Sequence, residues 1–275
     1  MTNAHAAGPY AEVIGNPIAQ SKSPLIHRFW LKALGIDGDY RKTRVETDGL
    51  AAFFADRAAD PAWRGCNVTV PHKIAALDHI EDRGDVRSSI GAINTVFRAE
   101  DGTLVGTNTD AAGFYVPLDG LDLAGKPVTI VGTGGAARAI LFALTKMEVG
   151  AVTLLARNPL KGAALLSAFA LKGRSLPIGP AAPPSALLVN ATTLGMAGQP
   201  PLDLDLAALP EDAVIYDIVY APLETPLLAA ARARDLDTID GLEMLVGQAA
   251  VAFEIFFGAV PPRDRDDELR ALLLA

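Results

Sequence analysis

Residues 127–138, Pro-Val-Thr-Ile-Val-Gly-Thr-Gly-Gly-Ala-Ala-Arg, decide the fold of this 275-residue chain. The apolar run at 128–131 reads as a strand, and an Ala/Leu-rich helical stretch follows Arg138. Strand, glycine loop and helix in that order are the context that a dinucleotide fingerprint requires. Gly132 permits the tight turn, Thr133 fills the loop, and Gly134 lets backbone approach a pyrophosphate. Gly135 and Ala136 continue the loop, and Ala137 takes the place of a third glycine for close helix–strand packing. The helix N-terminus then turns its free N–H groups toward phosphate oxygens.

The end of the next strand indicates which dinucleotide. An NAD-selective site places Asp or Glu there to hold the ribose 2′-hydroxyl. Here the strand at 152–155 runs into Ala-Arg-Asn-Pro-Leu-Lys at 156–161, with no acid. Arg157 offers a planar fork suited to a 2′-phosphate and Lys161 adds a point charge. Two solvated basic residues on a loop are the plainer alternative, but the missing acid points to NADP.

Outward from this loop, strand-like and helix-like segments alternate through most of the chain, the pattern of a parallel α/β protein. The pattern predicts strands at 10–14, 40–46 and up to 70, with helices at 24–34, 50–59 and from 71. A hairpin is expected from 93–98 and 103–108 around Glu100-Asp101-Gly102. Further strands are expected at 127–131, 151–155, 186–190 and 214–219, and the stretch 241–275 reads as helical. Two domains follow: residues 1–110 with 241–275, and a Rossmann-like dinucleotide-binding domain at 111–240.

The second stretch that carries chemistry is Asn67-Val-Thr-Val-Pro-His-Lys73. Cys66, Val68 and Val70 alternate with Asn67 and Thr69, the period of a strand with one apolar and one polar face. Pro71 is suited to the first position of a helix, which puts Lys73 in its first turn beside the positive end of the macrodipole. No acid follows at Ala76 or Leu77, and such a setting favours the neutral amine that proton exchange needs. Asn67 and Thr69 point from the same strand end.

Composition limits the partners. With 24 basic and 32 acidic residues the net charge is −8, which argues against nucleic acid and anionic membrane. The single cysteine, Cys66, excludes an internal disulfide and fits a reducing, cytoplasmic setting. The first 13 residues lack the basic start and apolar run of a signal peptide. No metal site is expected, since His5, His27, His72 and His79 are not spaced as ligands. His72 reads as a helix-start residue, and no Gly-x-Ser-x-Gly elbow is present.

Several polar residues sit where a bland fold does not want them. Ser23 in Ser21-Lys22-Ser23-Pro24 reads first as a helix cap, and Asp110 after Asn108-Thr109 reads the same way. Asn94 interrupts an apolar strand, and Gln248 lies on a helix stripe otherwise made of Gly241, Met244, Leu245 and Ala252. Taken together, the stretches 15–24, 67–73, 90–95, 108–110, the glycine loop, 190–196, 217–220 and 241–248 resemble shikimate dehydrogenases over essentially the whole length. The resemblance implies that Ser21 and Ser23 hold a carboxylate and that Thr69, Asn94, Asp110 and Gln248 bind ring oxygens. It also implies that Lys73 with Asp110 does the proton chemistry and that Tyr220 lies close to the carboxylate. Asp85, Ile218 and Gly241 match positions at the cofactor edge. Two departures occur: the usual Asn-Arg-Thr at the 2′-phosphate reads Ala156-Arg157-Asn158, and Lys161 stands where an arginine is usual.

The expectation is therefore a cytoplasmic NADP-dependent oxidoreductase of the shikimate pathway, serving chorismate and aromatic amino-acid biosynthesis. It reduces 3-dehydroshikimate to shikimate, and acts as a monomer or homodimer with only small-molecule partners. The alternatives are a relative of broader range on quinate or an aminated ring, and a homologue that senses ligand without turnover.

Overall fold

The computed structural model describes residues 8–275, so His5 and the start of the segment read for targeting lie outside the described residues. The chain divides into two compact units, Met1–Thr109 with Ala249–Ala275, and Asp110–Gln248. The returning boundary falls inside a helix, eight residues beyond the expected 240.

The first unit contains β1 (Tyr10–Gly15), α1 (Ser23–Leu34), β2 (Asp39–Arg44), α2 (Leu50–Ala59) and β3 (Trp63–Val68). It continues with α3 (Val86–Ser89), β4 (Thr95–Arg98) and β5 (Leu104–Thr107). Its sheet runs β2-β1-β3-β4-β5, with β1 parallel to both neighbours and β3, β4 and β5 antiparallel in turn. The Asp-Gly turn closes the β4–β5 hairpin with Gly102 at φ 86°, a conformation that glycine adopts without strain. Helix α1 ends as its sequence suggests, at Gly35 with φ 64°, whose N–H returns to Lys32 O. Its buried stripe of Ile26, Trp30 and Leu31 packs the helix into this unit's core.

One strand departs from its sequence pattern. Glu12 stands among apolar residues of β1 and is 1 % exposed, yet Arg57 Nε reaches it at 2.6 Å and the Thr43 hydroxyl also donates to it. A buried carboxylate persists only with such partners, and loss of one costs about 3–5 kcal/mol.

The second unit contains α4 (Asp110–Tyr115), β6 (Val128–Val131), α5 (Gly135–Lys146), β7 (Val152–Ala156), α6 (Pro159–Ala168) and β8 (Gly173–Pro177). It then runs through β9 (Leu187–Asn190), β10 (Val214–Asp217), α7 (Pro226–Arg232), β11 (Asp237–Ile239) and the start of α8 (Gly241–Phe257). The sheet is fully parallel in the order β11-β10-β9-β6-β7-β8, the doubly wound order with β6 and β9 at its centre. Helix α9 (Asp266–Leu274) closes the first unit, with Leu269 and Leu273 buried. The α/β expectation holds, while β8 and β11 had no counterpart in the sequence reading.

Candidate active site

In an open α/β sheet, ligands collect at the carboxyl ends of the strands where the chain reverses its direction of winding. In the first unit that point lies between β1 and β3. The loops leaving these two strands touch there. Asn16 N donates to Val70 O at 3.0 Å and Thr69 N to Ile14 O at 2.9 Å. A Cβ added at Gly15 would lie 2.6 Å from Thr69 Cγ2, so only glycine allows this approach. Ser21 and Ser23 follow on the β1 loop, their hydroxyls 3.3 Å apart. Ser23 is not the cap of α1: Lys22 occupies that position, and its ammonium donates instead to Leu273 O at the end of α9.

Lys73 lies on the β3 loop, but not as the helix reading required. Strand β3 ends at Val68, Val70 is exposed, and residues 70–74 form turns. The helix begins at Ala75 as a five-residue 3-10 run, so Pro71, His72 and Lys73 precede it and the macrodipole argument falls away. The Lys73 carbonyl accepts from Ile93 N at 2.8 Å, beside Asn94. His72 is fully buried and its Nε2–H donates to Val45 O at 2.7 Å, which pins the turn from the other side.

Asn67, on the polar side of β3, is buried rather than solvated. Asn67 Nδ2 donates to Asn94 O at 3.2 Å and to Thr95 Oγ1 at 3.0 Å. Asn94 precedes β4 rather than interrupting it, and accepts Thr109 N at 2.7 Å while its Nδ2 donates to Thr109 Oγ1 at 2.9 Å.

In the second unit Asp110 opens α4 and Gln248 lies on α8. A Cβ at Gly113 would meet Gln248 N at 2.5 Å, and one at Gly247 would meet Gly113 Cα at 3.0 Å. The two helices thus touch backbone to backbone one turn from Asp110. Gln248 is buried, with Nε2 donating to Leu245 O at 2.8 Å.

The glycine loop leaves β6 at the second unit's own switch point, between β6 and β9. Gly132 has φ 118° and sits under Ala191 O, 2.9 Å from where a Cβ would be. Gly134 is different. Its φ of −84° and ψ of −170° suit any residue, and a Cβ there would meet no protein atom within 4 Å. Neither strain nor packing explains this glycine, so the open space in front of α5 has another use. No side chain caps α5, which leaves its N-terminus, with Thr133, Gly135 and Ala136, to a phosphate. Arg157 and Lys161 are exposed beyond β7, also without an acid nearby in sequence. Asn158 caps α6, its Oδ1 accepting Leu160 N at 3.1 Å and Lys161 N at 3.4 Å. These residues fit NADP.

Ile218 follows β10, and a Cβ on Gly241 would lie 2.5 Å from Ile218 O, so α8 starts directly against this segment. Asp217 is fully buried, and burial raises its carboxyl above the ordinary value against donors from Val219 N, Thr225 and Asn190. Asn190 Nδ2 reaches Asp217 Oδ1 at 2.9 Å, which ties the loops after β9 and β10 together. Burial also pushes the Tyr220 phenol up. Asp85 stands on an exposed turn of the first unit at φ 53°, its carbonyl accepting the Ser88 and Ser89 hydroxyls. Sequence reasoning missed Tyr40, Thr95 and Thr109 as site residues; Tyr40 was findable as the lone aromatic in the charged run of β2. Among the described residues no cluster could hold a metal ion, and no helix is long and apolar enough to cross a membrane.

Known proteins resemble this chain throughout. The profile described as "Shikimate dehydrogenase substrate binding domain" matches residues 13–96, and "Shikimate 5'-dehydrogenase C-terminal domain" matches residues 241–266. A shikimate dehydrogenase (NADP(+)) of Sphingopyxis alaskensis is 65 % identical over 269 residues, 98 % of each chain. One of Azorhizobium caulinodans is 43 % identical, covering 96 % of this chain and 95 % of that one. Among solved structures, shikimate 5-dehydrogenase of Thermus thermophilus in complex with NADP(H) and shikimate superposes with a TM-score of 0.84. That protein is 36 % identical, and the match covers 97 % of this chain and 100 % of the other.

Proposed function

We propose, from the premise that this chain belongs to the shikimate dehydrogenase family, that it interconverts 3-dehydroshikimate and shikimate with NADP in the route to aromatic amino acids. It is an oxidoreductase acting on a CH–OH group, and its cofactor is NADP. The relatives favour this reading over a quinate/shikimate or aminoshikimate dehydrogenase of broader specificity and over a ligand-sensing homologue. It works in the cytoplasm on a small-molecule substrate, as a monomer or homodimer.

When bound at the β6 loop, NADPH supplies the hydride to the ketone carbon. Gly132 and Gly134, with the α5 N–H groups, hold the pyrophosphate, and Arg157 and Lys161 take the 2′-phosphate. Asn158 contributes its amide there while its oxygen caps α6. Ile218, Gly241 and Asp85 match the family's positions at the cofactor edge.

Ser21 and Ser23 grip the substrate carboxylate with two hydroxyls in one turn, near Tyr220. Thr69, Asn94 and Gln248 read the ring oxygens. Lys73 gives its proton to the alkoxide oxygen as it develops, and Asp110 orients both the lysine and the neighbouring hydroxyl. With a net charge of −8, recognition of an anion rests on these short-range donors rather than on long-range attraction.

The observation that carries this reading is the bond from Ile93 N to Lys73 O, which holds the lysine beside the Asn94–Thr109 pair leading into Asp110. The test follows absorbance of the reduced nicotinamide with shikimate or quinate, each against NADP and NAD. Shikimate with NADP should be turned over most efficiently. Equal efficiency with quinate would overturn the substrate assignment, and equal efficiency with NAD the cofactor assignment.

A further inference from the structure

We infer that Tyr40 is a positioning residue of the substrate site, its phenol pairing the buried Asn67 oxygen at the far end of a hydrogen-bond chain that runs through Asn67, Thr95 and Asn94 to Thr109. The inference rests on the reading of Asn94 and Asp110 as substrate-site residues.

Tyr40 is fully buried on β2, its ring stacked on His27 with centroids 3.9 Å apart and planes 5° from parallel. Its hydroxyl lies 2.5 Å from Asn67 Oδ1. The direction of each bond can be derived. Asn67's other amide atom faces the Asn94 carbonyl at 3.2 Å, which only accepts, so that atom is the NH₂. The oxygen of Asn67 therefore faces Tyr40, and the phenol must donate. Burial pushes the phenol far above its ordinary pKa, so the proton stays in place.

Asn67 Nδ2 also donates to Thr95 Oγ1 at 3.0 Å. A hydroxyl that accepts there has its single proton for Asn94 Oδ1, 3.1 Å away. Asn94 Oδ1 also takes Thr109 N at 2.7 Å, so Nδ2 is the atom turned to Thr109 Oγ1 at 2.9 Å. From the buried phenol to Asn94 each side chain donates to the next, and Thr109 accepts from Asn94 Nδ2 while its own N–H and hydroxyl return to Asn94 Oδ1. With the phenol oxygen gone, the buried Asn67 Oδ1 loses its donor while the Asn94 carbonyl still holds the amide's orientation. The orphaned oxygen then sits behind the pair that fixes Asn94, and any shift of Asn67 to relieve it is passed to Thr95 and Asn94. The lone aromatic of β2 is visible in the sequence, but its partner is not, because Tyr40 and Asn67 are distant in the chain.

Tyr40→Phe removes one oxygen and keeps the ring. Wild-type turnover of shikimate with NADP establishes the functional reading, and its absence would overturn reading and inference together. Given that turnover, Tyr40→Phe should raise the KM for shikimate roughly ten-fold, the usual cost of one orphaned buried group. The KM for NADP should stay unchanged. Thr95→Val, which removes the middle hydroxyl, should shift the same constant in the same direction, and it tests the chain if Tyr40→Phe fails to fold. An unchanged shikimate KM in a folded variant would overturn the inference alone. So would equal weakening toward shikimate and NADP, the mark of a merely structural loss.

Discussion

The two switch points of this molecule are built from different materials. At β1/β3 the site is made of side chains: Asn67, Asn94, Thr95 and Thr109 are buried and bonded to one another, with Lys73 held beside them. At β6/β9 it is made of backbone, with glycines where side chains would intrude and a helix start without a cap. The difference follows from the ligands. A small ring with several oxygens needs donors and acceptors at defined points, whereas a pyrophosphate needs N–H groups and room. Removing atoms should therefore damage the first site most, and adding atoms the second.

The largest expected effect is at Lys73. Lys73→Ala should keep the fold and lower kcat by about 10²–10⁴-fold, the span for a positioned acid–base group, measured in steady-state assays. Near-normal turnover would remove the lysine from the mechanism. In the second unit the corresponding test is an addition. Gly134→Ala adds a Cβ with no protein atom within 4 Å and demands no unusual φ, so the melting temperature should hold. The KM for NADP should rise on the order of 100-fold because the pyrophosphate is displaced. Unimpaired NADP binding would show that the open space at Gly134 serves no phosphate.

A smaller change is expected at Arg157, which is exposed. Its truncation should raise the KM for NADP by roughly 10- to 100-fold, one charge-assisted contact, and leave NAD nearly untouched. Equal loss toward both cofactors would make the residue merely structural.

Much of this contrast was legible in the sequence. The glycine loop, the missing acid after β7 and the polar residues at 21, 23, 69 and 94 are all local patterns. What was not legible depends on neighbours distant in the chain. Strand β8 is an exposed edge strand and β11 has three residues, so neither shows the alternation that marks a strand. The turn at 70–74 looked helical because Pro71 suits a helix start, yet the Ile93 and Val45 contacts hold it as a turn. Asn67 read as the polar face of a half-exposed strand, whereas it is buried and takes Tyr40 of β2, two strands away, as partner.

The last effect concerns stability rather than turnover and again separates the units. His27 in the first unit is fully buried, with no partner on either ring nitrogen, and burial pushes it down to about 3 from 6.5. Its folded pKa is depressed, so the unfolded chain binds the proton first. The stability tied to neutral His27 is complete above pH 6.5 and is lost as pH falls toward 3. The slope is at most about 1.4 kcal/mol per pH unit. His27→Leu should flatten denaturation midpoints across that window, and an unchanged acid profile would show that His27 does not govern it.

The measurement closest to the central claim compares kcat for Lys73→Ala, Asp110→Asn and the double variant. Two residues acting as one proton-handling unit should give strong non-additivity, with the double variant about as slow as the worse single one. Losses that simply multiply would contradict a shared step and leave Lys73 and Asp110 with separate roles.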